Sequence, residues 1–159
     1  LAIKYAKMGV QIIGLRYFNV FGEKQSSTYE GVIKKFVKKV RNNEAPIING
    51  DGEQTRDFVY VGDVVNANIL AMNSNVDHEF FNIGTATTIT VLELANLIIK
   101  SFNLSLKPIH GPELPGDVKI TKADISQVEK MLKWKPKTRI EEWLKNTIIT
   151  GTNLDLLTE

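Results

Sequence analysis

The sequence predicts an α/β chain, because short apolar runs with strand character alternate with longer segments whose apolar residues recur at helical spacing. The run Val10–Phe18, rich in β-branched and aromatic residues, has the composition of a buried strand. Thr90 and Glu93 form a capping box that marks a helix start. The expected strands are too few for a complete doubly wound sheet, and Leu1 lies in a helix already begun, so we expect a fold that is incomplete on its own.

The individual elements follow from local composition. Strands are expected at Val10–Phe18, Ala45–Asn49, Arg56–Val61 and Glu79–Ile83. Helices are expected at Leu1–Met8, Thr28–Asn42, Val64–Met72, Thr90–Phe102, Asp124–Leu132 and Thr138–Ile149. Asp63 and Asp124 are candidate N-caps, and Thr138 with Glu141 forms a second capping box. Prolines and glycines predict a loop over Lys107–Asp117.

Composition excludes several classes of protein. The 20 basic and 18 acidic residues give a net charge of +2, too small to indicate nucleic-acid binding. The absence of cysteine excludes disulfides and thiolate metal sites and indicates a reducing compartment, so we expect a cytoplasmic protein. His78 and His110 lack the spacing of metal ligands, and no apolar run is long enough to span a membrane. We expect no metal, nucleic acid or membrane as a partner.

The patterns of common catalytic and phosphate-binding sites are absent from the sequence. It contains no G-x-G-x-x-G loop, no G-x-x-x-x-G-K-[ST] loop and no G-x-S-x-G elbow. No tyrosine is followed by a lysine at the spacing Tyr-x-x-x-Lys, the couple in which an ammonium lowers the pKa of a phenol. We therefore expect no catalytic residue within this chain.

Three polar residues stand where they could bind a ligand. Asn19 follows an apolar strand, and its amide suits a sugar hydroxyl or a phosphate, or simply forms the turn. Arg56 enters a strand after a glycine turn and could bind a phosphate with two parallel hydrogen bonds, or pair with Asp57 or Glu53. Asp117 could accept a hydrogen bond from a ribose hydroxyl or serve as a turn residue. The residues alone leave these alternatives open.

The helix predicted over Thr28–Asn42 carries a row of cations beside its apolar face. The cations are Lys34, Lys35, Lys38, Lys39 and Arg41. Such a row is typical of a solvated helix face, which is the interpretation we favour, and the alternative is a surface for an anionic partner.

In their order and spacing, six segments of the chain resemble the C-terminal half of the extended short-chain dehydrogenase/reductases of the UDP-glucose 4-epimerase type. The segments are RYFNVFG (16–22), GVIKKFVKKV (31–40), INGDGEQTRDFVYVGDVVNAN (48–68), FNIGTATTITVLELA (81–95), PGDVKITKADISQVEKMLKWKP (115–136) and IEEWLKNTI (140–148). The resemblance implies the last strands of a Rossmann-like parallel sheet plus a smaller C-terminal α/β substrate-binding domain. It covers nearly the whole chain.

The resemblance also implies roles for individual residues. Phe18 matches a residue beside the nicotinamide end of NAD, and Asn19 matches an asparagine that binds the UDP-sugar. Arg56 matches the arginine that holds the diphosphate, and Asp117 matches an acid of the same nucleotide pocket. The segments that contact the uridine and its base match Gly31, Val32, Ile47, Ile48 and Asn49.

The chain departs from the family pattern at three positions. Leu114 stands where a second phosphate-binding arginine is common, Asn49 where an aromatic residue often faces the base, and Glu23 where a proline is usual. Lys119 or Lys122 could supply the missing cation, but only as a point charge.

Domain organisation and activity are likewise expectations carried by the resemblance. Residues 1–25 would end an NAD-binding Rossmann domain, and 26–150 would mainly form the nucleotide-sugar-binding domain, with about 57–100 returning to the Rossmann sheet and 151–159 forming a tail. The NAD loop and the Tyr-x-x-x-Lys couple would lie upstream, so this chain alone is expected to be inactive.

The expected whole protein is an NAD-dependent UDP-sugar 4-epimerase, active as a homodimer, that transfers hydride transiently at sugar C4. The alternatives are a nucleotide-sugar 4,6-dehydratase or related enzyme, and a non-catalytic nucleotide-sugar-binding module.

Overall fold

A computed structural model describes residues 2–23 and 31–150 of the chain. Its helices are α1 (Ala2–Ala6), α2 (Val32–Arg41), α3 (Val61–Met72), α4 (Val91–Ser101), α5 (Ser126–Leu132) and α6 (Ile140–Thr150). Its strands are β1 (Ile13–Tyr17), β2 (Asn19–Phe21), β3 (Ile47–Asn49), β4 (Thr55–Arg56), β5 (Phe58–Tyr60), β6 (Glu79–Ile83), β7 (Ile89–Thr90) and β8 (Ile109–Gly111). The predicted α/β alternation is confirmed. The expectations for Leu1, for 28–30 and for the tail 151–159 lie outside the described residues.

Within the described residues, the strands pair two by two. β1 with β6, β2 with β5 and β3 with β8 are parallel pairs, and β4 with β7 is antiparallel. The predicted strand Glu79–Ile83 is confirmed as β6. β8 lies inside the segment Lys107–Asp117, which was predicted to be a loop, because its pairing with β3 depends on residues far away in the sequence. The parallel pairs, covered by helices, make the chain a partial Rossmann-like domain.

A change of partner ends one predicted strand and divides another. In the predicted strand Val10–Phe18, only β1 pairs with β6, and the chain crosses to β5 just after Phe18. The amide of Phe18 donates to the carbonyl of Ile83 at 3.0 Å, whereas the amide of Asn19 donates to the carbonyl of Asp57 at 3.1 Å. Similarly, the predicted strand Arg56–Val61 breaks at Asp57 into β4 and β5. Both breaks leave polar side chains at strand ends.

Helix α4 begins with the predicted capping box. The Glu93 amide donates to Thr90 Oγ1 at 3.0 Å, and the Thr90 amide donates to Glu93 Oε2 at 2.8 Å. This prediction is confirmed because the signal is local: both residues lie within one turn of the helix.

The predicted cap at Asp63 is wrong. Helix α3 begins at Val61, so Asp63 lies in its first turn. The Asp63 carboxylate instead accepts from the amides of Lys137 and Thr138, at 3.0 and 2.9 Å, and anchors the segment before α6. The competing partners lie more than seventy residues away along the chain, which no local pattern indicates.

Two other helix starts differ from the predictions. Gly31, inside the helix predicted over Thr28–Asn42, is extended, and α2 begins only at Val32. Asp124 lies one position before Ile125, the N-cap residue of α5. Its Oδ1 accepts from the Ser126 amide at 3.0 Å. The hydrogen bonds from Ser126 lower the pKa of the Asp124 carboxyl below its ordinary value.

The buried apolar side chains form two clusters. One joins α2, α4 and α6 to β3, Phe21 and Phe58, and the other joins β1, β6, α3 and α5 around Trp134.

The predicted domain bounds remain a prediction. Across residues 2–23 and 31–150, no helix has the length and apolarity needed to cross a membrane.

Candidate functional site

Asn19 lies at the break between β1 and β2 and has one side of its amide free for a ligand. Its Nδ2 donates to the Asp57 carbonyl at 2.9 Å and lies 3.4 Å from Thr121 Oγ1. No other described residue hydrogen-bonds to Asn19 Oδ1, so that oxygen remains an acceptor. The side chain thus supports the start of β2, and its role in binding a ligand stays a prediction.

Arg56 is held by the segment that follows β8. Its Nη2 lies 2.5 Å from Asp117 Oδ1, and its Nη1 donates to the carbonyls of Thr55 and Val118 at 2.8 and 2.6 Å. Only 14% of the Arg56 side chain is exposed. Of the alternatives left open for Arg56, a pair with Asp57 or Glu53 is not formed among the described residues, because the Asp57 carboxylate is fully buried and bound by other groups and Arg56 pairs with Asp117 instead. The guanidinium is therefore oriented before any ligand binds.

A cavity of about 1120 Å³ brings the predicted residues together. Those that line it are Phe18, Asn19, Gly31, Val32, Ile47, Asn49, Arg56 and Asp117. The volume is ample for a nucleotide-sized ligand, since small-molecule sites span roughly 300–1,000 Å³. Arg56 and Asn19 therefore face one cavity, although they lie on different strands.

Ile48 is the one predicted site residue that does not line this cavity. Its side chain is fully buried in the first apolar cluster. Successive side chains of a strand point to opposite faces, so Ile47 and Asn49 face the cavity while Ile48 faces the core. The Ile48 side chain is therefore part of the core and not of the cavity wall.

Of the five cations in the α2 row, three line the cavity, one is buried, and Arg41 is exposed. Lys35, Lys38 and Lys39 line the cavity, and Lys39 Nζ also pairs with Glu44 Oε2 at 2.5 Å. Lys34 is 1% exposed, so the interpretation as a purely solvated face is incomplete. Lys119 and Lys122, considered from the sequence as substitute cations, are not among the described residues that line the cavity. Helix α2 thus brings three lysines to the cavity wall.

Two departures from the family pattern lie at this cavity. Leu114 lines it with 55% of its surface exposed, and Arg56 is the only arginine among the described lining residues. Asn49 lines it beside Gln54, whose Nε2 donates to the Asn49 carbonyl at 2.9 Å. The cavity therefore has one guanidinium and several ammonium groups to meet an anion.

The third departure, Glu23, holds an aromatic cluster beside the strand ends. Its Oε2 accepts from the Tyr60 hydroxyl at 3.2 Å, and its Oε1 accepts from Trp143 Nε1 at 3.3 Å. The rings of Phe21, Tyr60 and Trp143 pack with centroids 5.2–6.3 Å apart. Burial, together with the nearby Glu23 carboxylate, raises the pKa of Tyr60. Glu23 thus joins β2 and β5 to α6.

The fold and this cavity together are those of an α/β protein that binds anionic ligands. Parallel strands of an α/β sheet end at a large cavity that an arginine and several lysines line, which is where proteins of this architecture bind anionic ligands. The sequence profile of the NAD dependent epimerase/dehydratase family matches residues 1–84, just over half of the chain, and the chain belongs to this family.

Curated relatives extend the match to most of the chain. A Methanocaldococcus jannaschii protein provisionally named a UDP-glucose 4-epimerase is 41% identical over 141 residues, which are 88% of this chain and 45% of the relative. The UDP-N-acetyl-alpha-D-glucosaminuronate decarboxylase of Bacillus cytotoxicus is 33% identical over 93% of this chain and 48% of its own length. The chain therefore spans about half the length of the curated relatives that it matches.

Solved structures show the same relation. The UDP-glucose 4-epimerase of Thermotoga maritima, solved with UDP-glucose, is 38% identical with a TM-score of 0.84, over 93% of this chain and 50% of that one. The UDP-glucuronic acid 4-epimerase of Bacillus cereus, solved with UDP-glucuronic acid and NAD, is 26% identical with a TM-score of 0.83, over 98% and 48%. NAD is thus the cofactor found in solved relatives of this family.

Proposed function

We propose that the full-length protein is an NAD-dependent UDP-sugar 4-epimerase of the UDP-glucose/UDP-galactose type, and that this chain holds the UDP part of the substrate. The observation that carries the proposal is the shared cavity, which Arg56, held in place by Asp117, and Asn19 both line. The similarity to an epimerase solved with UDP-glucose supports the same substrate class.

Each polar group has a role that its chemistry suits. Arg56 would bind the diphosphate, since a guanidinium can form parallel hydrogen bonds to phosphate oxygens. Asp117 would accept from a ribose hydroxyl with the carboxylate oxygen that Arg56 leaves free, and Asn19 Oδ1 would accept from a substrate hydroxyl. The uridine would lie among four residues that line the cavity, Gly31, Val32, Ile47 and Asn49.

The described residues fit NAD at one point. Phe18 lines the cavity next to Asn19, so an aromatic face is available beside the place where the sugar would lie. Bound NAD supplies hydride acceptance and return at the sugar carbon. The contribution of this chain is to anchor the nucleotide so that the sugar stays near the cofactor. The rest of the NAD site would lie in the half of the relatives that this chain does not span.

Further properties of the whole protein remain proposals. We infer a cytoplasmic homodimer, with catalytic residues outside this chain. The 159-residue chain alone is expected to be inactive and to bind UDP-sugars weakly or not at all.

Product analysis of the full-length protein tests the epimerase proposal. With UDP-glucose as substrate, we expect UDP-galactose to form until the two reach equilibrium, with no other sugar nucleotide. Starting from UDP-galactose should reach the same mixture. Accumulation of a 4-keto-6-deoxy sugar nucleotide, or no turnover of either substrate, would contradict it.

A decarboxylase or dehydratase is the second candidate, because the decarboxylase of Bacillus cytotoxicus matches nearly the whole chain. Release of carbon dioxide from a UDP-uronic acid, with UDP-glucose left unchanged, would favour this candidate. Both candidates require the nucleotide to occupy the same cavity.

A further inference from the structure

The buried carboxylate of Asp57 lies directly behind the cavity and is not used by the proposed function. Its side chain is completely buried, and in the part of the chain that the structure describes no cation pairs with it. An unpaired buried charge is costly unless hydrogen bonds stabilise it. The Asp57 carboxylate therefore needs several hydrogen-bond donors, and the segments that supply these donors are the ones it fixes in place.

Four donors surround the Asp57 carboxylate. Oδ1 accepts from the amide and from the hydroxyl of Thr85, both at 2.7 Å. Oδ2 accepts from the amides of Ala86 and Ala123, both at 3.0 Å. The packing around this group is tight, since a Cβ on Gly84 would lie 3.0 Å from Asp57 Oδ2 and 2.5 Å from the Ala123 Cβ. One side chain thus joins the turn after β6 to the segment that leads away from Asp117.

That segment has little regular structure of its own. It follows β8, precedes α5, and lies against β4 through hydrogen bonds and one isolated bridge. Its contacts run in order along the chain: Arg56 Nη2 to Asp117, Arg56 Nη1 to the Val118 carbonyl, the Thr55 amide to the Lys119 carbonyl, the Thr121 amide to the Thr55 carbonyl, and the Ala123 amide to Asp57. The Asp57 contact is the buried end of this series.

The backbone of Asp57 orients the other side of the cavity. Its carbonyl accepts from both the amide and the Nδ2 of Asn19, at 3.1 and 2.9 Å. Its own amide donates to Thr121 Oγ1 at 3.3 Å. Asp57 therefore contacts Asn19 directly and the segment that follows Asp117 through Thr121 and Ala123. Asp57 does not itself line the cavity.

We infer that Asp57 is a positioning residue for nucleotide binding: its buried carboxylate fixes the segment 117–123 and the turn at 84–86 so that Arg56, Asp117 and Asn19 face one cavity. The inference rests on the proposed function, because it concerns the same site.

The test is the affinity of the full-length protein for UDP, measured by calorimetry at a temperature at which every variant is folded. Asp57→Asn places an amide N–H₂ against backbone N–H donors, and we expect UDP to bind about tenfold more weakly. Asp63→Asn is a matched control, since Asp63 is also a buried carboxylate that accepts from two backbone amides but does not line the cavity. It should lower the melting temperature and leave UDP affinity within about twofold.

A double-mutant cycle separates positioning from general stability. If Asp57 acts through Arg56, then Arg56→Ala should weaken UDP binding less in the Asp57→Asn protein than in the wild type. Unchanged UDP affinity in folded Asp57→Asn, or fully additive effects, would overturn the inference. If Asp57→Asn does not fold, Thr85→Val removes one of the four donors and should weaken UDP binding about threefold, and an unchanged affinity overturns the inference. If Arg56→Ala in the wild type has no effect, the proposed function itself fails.

Discussion

Arg56 and Asp117 form an ion pair at the wall of the cavity, although they lie 61 positions apart in the sequence. The side chain of Arg56 is 14% exposed and that of Asp117 is 34% exposed, so the pair is partly shielded from water. A guanidinium has five N–H donors, and the recorded contacts leave some of them for a phosphate. The pair therefore fixes the orientation of Arg56, as its proposed role in diphosphate binding requires.

Removal of the Arg56 guanidinium should weaken UDP and UDP-sugar binding to a similar degree. We expect Arg56→Ala to cost about 1.5–3 kcal/mol, because a hydrogen bond to a charged group is lost. Arg56→Lys should recover only part of this, since an ammonium cannot bind two phosphate oxygens in parallel. Calorimetry on the full-length protein measures both. Arg139→Ala is the matched control: 71% of that side chain is exposed and it does not line the large cavity, so UDP affinity should not change.

Restoring the second arginine of the family pattern should strengthen diphosphate binding. In Leu114→Arg, a guanidinium would replace an exposed apolar side chain at the cavity wall. We expect UDP to bind more tightly by about 0.2–1 kcal/mol, because an exposed charge is screened by solvent. The gain should appear with UDP and not with uridine, which has no phosphate. Equal gains for both ligands would show that the new side chain does not reach the diphosphate.

Tyr60 should make the protein sensitive to alkaline pH. Burial and then the Glu23 carboxylate raise the pKa of this phenol above its ordinary value of 10.0. In the unfolded chain the phenol loses its proton first, so stability falls as pH rises above about 10 through the folded-state pKa. Tyr60→Phe removes this ionisation, and its melting temperature should fall less steeply in that range.

Thermal melts between pH 8 and pH 11 compare the two proteins, with Tyr5→Phe as a control because 44% of the Tyr5 surface is exposed. The control should follow the wild type. Parallel curves for Tyr60→Phe and the wild type would contradict the expected role of the Tyr60 phenol.

The capping box of α4 should contribute measurably to stability. Thr90→Ala removes the acceptor for the Glu93 amide, and we expect a loss of about 1 kcal/mol in the free energy of unfolding. Thr90→Ser keeps a hydroxyl at the same position and should lose much less. Denaturant unfolding of the full-length protein measures the difference. A Thr90→Ala protein as stable as the wild type would show that packing of α4, and not its cap, determines this helix start.

Local patterns in the sequence were sufficient wherever neighbouring residues determine the structure. The strand Glu79–Ile83 and the capping box of Thr90 with Glu93 occur as predicted, because period, composition and capping act over a few residues. The resemblance also predicted a set of site residues, and all of them but Ile48 line one cavity.

What the sequence did not predict depends on distant partners. Asp63 accepts from Lys137 and Thr138, and Arg56 pairs with Asp117, so neither contact follows from nearby residues. Asp57 divides a predicted strand because its backbone and side chain bond to Asn19, Thr85 and Ala123. Asp57 stands next to Arg56 in the sequence, but its buried carboxylate is bound by three backbone amides and the Thr85 hydroxyl and does not pair with Arg56.

The position of UDP in a crystal structure of the full-length protein is the most direct test of the central claim, that Arg56, Asn19 and Asp117 form one nucleotide-binding site. We predict the diphosphate within about 2.7–3.2 Å of the Arg56 guanidinium, in the cavity that α2 lines. UDP bound elsewhere, with the Arg56–Asp117 pair intact and the cavity holding only solvent, would contradict the account.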